Sequence, residues 1–283
     1  MARAMLQNRD KTSTSSPKPA AQQRRVSVLT IAGADSGGAA GIQADLKVFA
    51  AFGLHGLSAI TAVTAQNTRM VKAIRVVPAR TVRQQLEAVA DDFQIAAVKI
   101  GMLGASATID VVARFLAARR LPMVLDPVLM SSSGAHLLPP RSRAALRDKL
   151  IPLAHVLTPN LPEAALLLGL KNPAHDARQL ARELLGLGAR SVLLKGGHAK
   201  GDPVCDYFAS AQAQRVFRHP RLALDARGTG CTLSAAIAAA IASGHALPDA
   251  VRIAERYLQR ALRGAYRAGR GRQRVLPAVP RHM

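Results

Sequence analysis

Residues 26–53 read VSVLTIAGADSGGAAGIQADLKVFAAFG. The opening VSVLTIAGA is a run of Val, Leu and Ile among small residues, the pattern of a strand buried on both faces. It ends in a glycine-rich turn. After the turn, Ile42, Leu46 and Phe49 recur at helical spacing, and Gly53 is a stop signal. A buried strand feeding a helix through a glycine turn is the first part of a βαβ unit.

The same alternation runs down the chain. SAITAVTAQNT (58–68), AAVKIGML (96–103), PMVLDPVLM (122–130), AHVLTPN (154–160) and SVLLKGG (191–197) read as strands. VRQQLEAVADDF (82–93), ATIDVVARFLAARR (107–120), RSRAALRDKLIP (141–152), PEAALLLGL (162–170) and ARQLARELLGLG (177–188) read as helices between them. VCDYFAS and QRVFRHP are expected to pair as a hairpin. Two helices, one after Gly230 and one from about Pro248, close the fold. The fold class is therefore α/β: a three-layer αβα domain around a mostly parallel sheet.

Sites in such folds gather at the C-terminal ends of the strands. The polar residues that follow the strands here are Asp35, Gln66–Asn67, Lys99–Met102, Asp126, Asn160 with Glu163, and Lys195–His198.

The 283 residues are 49% hydrophobic and 20% charged, which fits a globular protein with a large core. No apolar run reaches the roughly 18 residues a membrane helix needs, so no membrane is expected. The net charge of +22 is uneven: residues 1–25 contribute +5 and residues 252–283 contribute +8. It reads as a solvated, Arg-biased surface, with Arg252, Arg256, Arg260, Arg263 and Arg267 on one helical stripe. A nucleic-acid-binding protein is the rival from another class, but no helix-turn-helix or zinc pattern supports it, so no nucleic-acid partner is expected. Cys205 and Cys231 have no metal-binding or C-x-x-C spacing, which implies reduced thiols and a cytoplasmic protein. Residues 1–25 have no apolar h-region and read as a disordered basic tail. The domain is expected to span 26–268, with 269–283 as a second basic tail.

The motifs carry the chemistry. GADSGGAAGIQAD is neither a Walker A nor a clean G-x-G-x-x-G. Its glycines let a ligand approach the backbone, and Asp35 is either a fixed acceptor or a cap. LTPNLPEA sets Asn160 and Glu163 on one face of a first helical turn. They suit Mg²⁺ on a nucleotide through water, or form a capping box. Lys195 in LLKGGH is a cation at a strand end, and Asp126 in LDPV a carboxylate at another. ARGTGCTLSAA is the strongest local signal: glycines open the turn, and the first-turn amides and helix dipole make an anion site. The same dipole is expected to lower the pKa of the Cys231 thiol.

Taken in order, TIAGADSGGAAGIQADLK, TAVTAQNT, KIGML, LDPV, LTPNLPEA, LLKGGH and GTGCTLSAA resemble the bacterial hydroxymethylpyrimidine/phosphomethylpyrimidine kinases of thiamine biosynthesis, in the ribokinase superfamily. The resemblance covers most of the chain outside its ends. It implies a homodimer that uses ATP and Mg²⁺ to phosphorylate a small pyrimidine alcohol and then its monophosphate. It places Asp35, Gln66, Met102 and Val128 around the pyrimidine, with Gln66 bonding the ring. Asn160, Glu163, Lys195 and Asp126 would serve ATP, with Asp126 and Glu163 toward Mg²⁺. Gly228, Thr229 and Gly230 would form the anion hole, with Cys231 as base. Three departures stand out. Ala39 replaces a usual glycine, which costs backbone freedom. Arg227 stands where a His commonly precedes GTGC. The late Gly-His-Gly segment is not recognisable. A pyridoxal-type vitamin kinase of the same superfamily is the alternative.

Overall fold

A computed structural model describes residues 25–131, 134–170, 176–197 and 201–279. The N-terminal tail expected at 1–25 lies outside them except for Arg25.

The opening stretch forms strand β1 (Ser27–Asp35) and helix α1 (Gly41–Ala51), joined by the glycine turn. There follow β2 (His55–Gln66), β3 (Val71–Val76), α2 (Ala79–Asp92), β4 (Ile95–Ile100), α3 (Ser106–Arg119) and β5 (Met123–Leu125). Residues 141–152, expected as one helix, fold instead within an irregular helical stretch over 140–153. It contains a single α-turn, α4 (Arg143–Ala145), between 3₁₀ and π turns. Pro140 and Pro152 lie at its two ends and interrupt a regular ladder, because proline donates no backbone bond. The chain continues through β6 (Val156–Leu157), α5 (Leu161–Leu168), α6 (Ala177–Gly186), β7 (Ser191–Leu194), β8 (Val204–Ser210), β9 (Gln214–His219), β10 (Ala226–Arg227), α7 (Thr229–Ala242), α8 (Leu247–Arg263) and β11 (Arg274–Val275).

Nine strands form one sheet in the order β3-β2-β1-β4-β5-β6-β7-β8-β9. The six from β2 to β7 in that order are parallel; β3 and β8 run antiparallel to them, and β9, antiparallel to β8, again points their way. The expected hairpin is β8–β9. Strand β3 was not foreseen, because an edge strand bearing Lys72 and Arg75 lacks the apolar signature of a buried one.

Successive side chains of a strand face opposite layers. Accordingly Leu29 and Ile31 pack with the core beneath α2, α3, α5 and α6, while Val28 packs with α1, α7 and α8. Helix α7 is buried without a break from Thr232 to Ala240, wedged between the sheet, α1 and α8. A helix surrounded in this way must be apolar all round, which accounts for its Ala/Ile composition. Truncating the fully buried Ile237 to Ala would cost about 2–5 kcal/mol.

The expected tail at 269–283 is a structured segment as far as residue 279. Strand β11 pairs with β10, Leu276 is buried, and the Gly271 N–H donates to Thr68 Oγ1 at 2.9 Å. A Cβ on Gly271 would stand 2.1 Å from the Thr68 carbonyl oxygen, so this approach requires glycine. The charge of the segment signalled solvent, while its two packing glycines carry no hydrophobic signal.

Candidate active site

The parallel strands converge with their C-terminal ends on a cavity of about 720 Å³. The sheet order reverses at β1, between β2 and β4, which is where doubly wound sheets open a crevice. Asp35, Gln66, Met102, Asp126, Val128, Asn160, Glu163, Lys195 and the turn Gly228–Thr229–Gly230–Cys231 all line that one cavity. His198 lies outside the described residues.

The anion-hole turn is built by a close approach. Gly228 has φ +78°, and a Cβ there would lie 1.9 Å from the Ala39 carbonyl oxygen. Only glycine fits, and it lets α7 begin against the glycine loop. The first-turn amides of α7 have no intrahelical acceptors and face a place for an anion. Ala39 itself does not take a left-handed conformation, so the exchange from glycine imposes no strain at that position.

Cys231 lies in the first turn of α7, and the Gly41 backbone N–H at the start of α1 acts to hold its thiol down. Its acidity departs from the sequence expectation. Burial pushes the thiol up to about 11, with Asp45 and Asp126 adding to the rise, while Lys99 and the Gly41 N–H oppose it. The dipole argument saw only the local helix, whereas desolvation depends on everything packed around it.

Lys99, noted only as a strand-end residue, is fully buried on β4, and its Nζ lies 2.8 Å from Asp45 Oδ2 of α1, also fully buried. Thr30 Oγ1 donates to the same oxygen at 2.6 Å, while Asp45 Oδ1 has no partner. Burial pushes Asp45 upward, against the pull of Lys99, and Asp45 in turn holds Lys99 firmly protonated. Across the turn stands a second pair, Lys195 Nζ and Asp126 Oδ1 at 2.9 Å. A Cβ on Gly230 would meet Lys195 Nζ at 3.1 Å and Asp126 Oδ2 at 3.3 Å. Lys195 is named by the sequence, and Lys99 could have been sought in the same way, as a lysine at the end of a buried strand.

Asn160 and Glu163 form the capping box: Asn160 Oδ1 accepts the Glu163 N–H at 2.8 Å, and Glu163 Oε2 accepts the Asn160 N–H at 2.9 Å. The box does not remove Glu163 from the cavity wall. Burial pushes its pKa above the ordinary carboxylate value, Lys195 opposes this and Asp126 adds to it.

Asp35 is more committed than expected. Its carboxylate accepts from Gly37, Ala39 and Ala40 N–H at 2.7, 3.1 and 2.8 Å, so it holds the loop in shape. Gln66 is held too. Arg227 Nη2 donates to Gln66 Oε1 at 2.6 Å, while Nη1 reaches the Asn67 carbonyl at 3.2 Å and Gln273 Oε1 at 3.3 Å. The unusual Arg227 thus ties the anion-hole turn to the β2–β3 loop and the C-terminal segment.

A doubly wound sheet with a glycine turn opening a buried helix, and a cation–carboxylate pair beside it, is the architecture of the ribokinase-like small-molecule kinases. The comparisons narrow this class. The family model "Phosphomethylpyrimidine kinase" matches residues 35–276. The hydroxymethylpyrimidine/phosphomethylpyrimidine kinase of Rhizobium meliloti is 47% identical over 216 residues, covering 74% of this chain and 80% of its own. The crystal structure of phosphomethylpyrimidine kinase from Clostridium difficile superposes with a TM-score of 0.75 at 39% identity, over 84% of this chain and all of its own. An ADP complex of Bacillus subtilis pyridoxal kinase gives 0.83 at 30% identity, over 91% and 98%. The chain belongs to the phosphomethylpyrimidine kinase family, and is a phosphotransferase.

Proposed function

We propose that the chain transfers the γ-phosphoryl group of ATP to 4-amino-5-hydroxymethyl-2-methylpyrimidine, and then phosphorylates the resulting monophosphate, in thiamine biosynthesis. The observation that carries this reading is the single cavity that joins the Gln66 amide to the Gly228–Cys231 turn. An amide can meet a ring nitrogen and an exocyclic amine together. In this reading Met102 and Val128 pack the ring, and Asp35 shapes the loop around it.

The nucleotide phosphates lie toward Lys195, Asn160 and Glu163. Asp126 and Glu163 share one lysine between two carboxylates, and this net negative oxygen set fits a hydrated Mg²⁺. Mg²⁺ bound there neutralises charge on the phosphates. The α7 amides stabilise the transferring group. Phosphoryl transfer passes through a loose transition state in most analyses, so the acceptor hydroxyl gives up its proton late. Cys231 takes that proton, with the Lys99 charge and the α7 N-terminus favouring the thiolate. The exposed apolar residues Val63, Met70 and Val76 around the β2–β3 edge form the homodimer face. The two free thiols suit a cytoplasmic setting.

The test is ADP release by the purified full-length chain with the pyrimidine alcohol, its monophosphate and pyridoxal. Turnover of both pyrimidine compounds, at higher kcat/KM than pyridoxal, is expected. Preference for pyridoxal without turnover of the monophosphate would establish the pyridoxal-kinase alternative, which the TM-score of 0.83 keeps in view.

A further inference from the structure

Beyond the kinase residues, the cavity wall holds a second group of side chains. Asp206 on β8 and His219 on β9 line the cavity, and Glu255 on α8 lies behind them. His219 Nε2 is 3.2 Å from Asp206 Oδ2 and 3.9 Å from Glu255 Oε2. Potential ligand atoms of the three residues all lie within 4.8 Å of one another.

The cluster is buried and incompletely satisfied. The Glu255 side chain is 7% exposed, yet neither of its oxygens has a hydrogen-bond partner. One turn along the same face, the Gln259 amide is in the same position at both Oε1 and Nε2. A buried carboxylate with no donor is costly and takes up a proton or a cation. Burial and then the neighbouring Asp206 push the Glu255 carboxyl well above the usual range, as for a group crowded by like charge.

We propose that Asp206, His219 and Glu255 bind a divalent transition-metal ion, zinc being the ion whose chemistry they fit. Zinc takes imidazole nitrogen and carboxylate oxygen ligands, and sites with three protein ligands leave a further position to water. Two ligands about 2.0–2.1 Å from a tetrahedral ion stand about 3.3 Å apart. The 3.2 Å separation already matches, and the 3.9 Å separation closes with a small rotation of Glu255. The outer shell is partly built: Asp206 Oδ1 accepts the Gly196 N–H, which orients Oδ2 toward the ion. The Gln259 amide is the group to meet the metal-bound water.

The location gives the site a consequence. Gly196 follows Lys195, and the three ligands come from three different elements. The ion therefore ties the β8–β9 hairpin and α8 to the strand end that carries Lys195. It is distinct from Mg²⁺ at Asp126 and Glu163, and its binding can be read without any kinase assay.

Metal-stripped full-length protein is titrated with Zn²⁺ against a chromophoric chelator. One ion per chain is expected, with only nitrogen and oxygen ligands in X-ray absorption. Glu255→Gln, which is nearly isosteric, and His219→Ala should weaken binding by at least the ~100-fold found at the upper end for loss of an outer-shell partner. Glu255→Gln should keep its metal-free melting temperature, separating ligand loss from misfolding. Equal binding by wild type and Glu255→Gln, sulfur in the coordination shell, or no ion held against the chelator would overturn the proposal. In the last case Glu255 and Asp206 share a proton instead.

Discussion

Two lysine–aspartate pairs flank the anion-hole turn, and they differ in their access to solvent. Lys99 and Asp45 are sealed, with neither side chain exposed at all, whereas Lys195 is 15% exposed and faces the cavity. A sealed ion pair loses more in desolvation than it regains unless its geometry is complete, and here Asp45 Oδ1 is unpartnered. Lys99 and Asp45 are therefore poor candidates for a stability device. Their position beside Cys231 suits a permanent charge that no ligand can displace. Lys195, open to the cavity, is free to exchange its carboxylate for another anion, as the proposed nucleotide-binding role requires. The same two residue types thus provide a fixed field on one side and a movable contact on the other.

Lys99→Met is the strongest test. It leaves Asp45 buried and unpaired, and should cost about 3–5 kcal/mol in denaturant unfolding. Lys195→Met should cost less than half as much, because Asp126, though only 4% exposed, lines the open cavity and is not sealed in the core. Equal losses would end the distinction. The double variant Lys99→Met/Asp45→Asn should regain most of the stability while phosphorylation of the alcohol stays depressed. Full recovery of activity would make the pair a packing feature.

Cys231→Ser comes next. It should lower phosphorylation of the alcohol by on the order of 10²-fold, the low end for a general base. The monophosphate acceptor is already largely ionised at neutral pH, so that step should fall by less than about tenfold. Equal losses in a folded variant would make Cys231 a shaping residue. Asp35 is poorly placed to take over as base, because its oxygens already accept three backbone N–H groups.

The raised thiol carries its own sign. With the folded value at about 11, the thiolate fraction rises about tenfold per pH unit through neutrality and above. In a Cys205→Ser background, alkylation should climb that way toward about pH 11, and the alcohol step should climb with it only while Cys231 is present. A plateau near pH 7 would show that the helix dipoles outweigh burial. The smallest effect is expected for Arg227→His. Losing the guanidinium bond to Gln66 should cost about 1 kcal/mol, read as a roughly fivefold higher pyrimidine KM with unchanged ATP binding.

Much of the site was legible because its signals are local. A buried strand, a glycine turn and a helix start each announce themselves over a few residues, and the topology of α/β sheets places the polar residues that follow each strand at one edge. Asp126, Asn160 and Lys195 could therefore be named before any contact was known. Strand β3 and the C-terminal segment were missed because exposed, basic stretches carry no apolar periodicity. Their order comes from partners, β2 for one and Thr68 for the other.

The sequence by itself determined the alternation of elements, hence the sheet and the edge where the site lies, because periodicity and turn chemistry act between near neighbours. Tertiary structure alone decided which charges meet and how strongly. Lys99 finds Asp45 across 54 positions and Arg227 finds Gln66 across 161, and no local pattern encodes either pairing. It also decided the acidity of Cys231. The helix dipole can be read from the residues around the thiol, but desolvation is set by every atom that excludes water from it, and those atoms come from the whole fold.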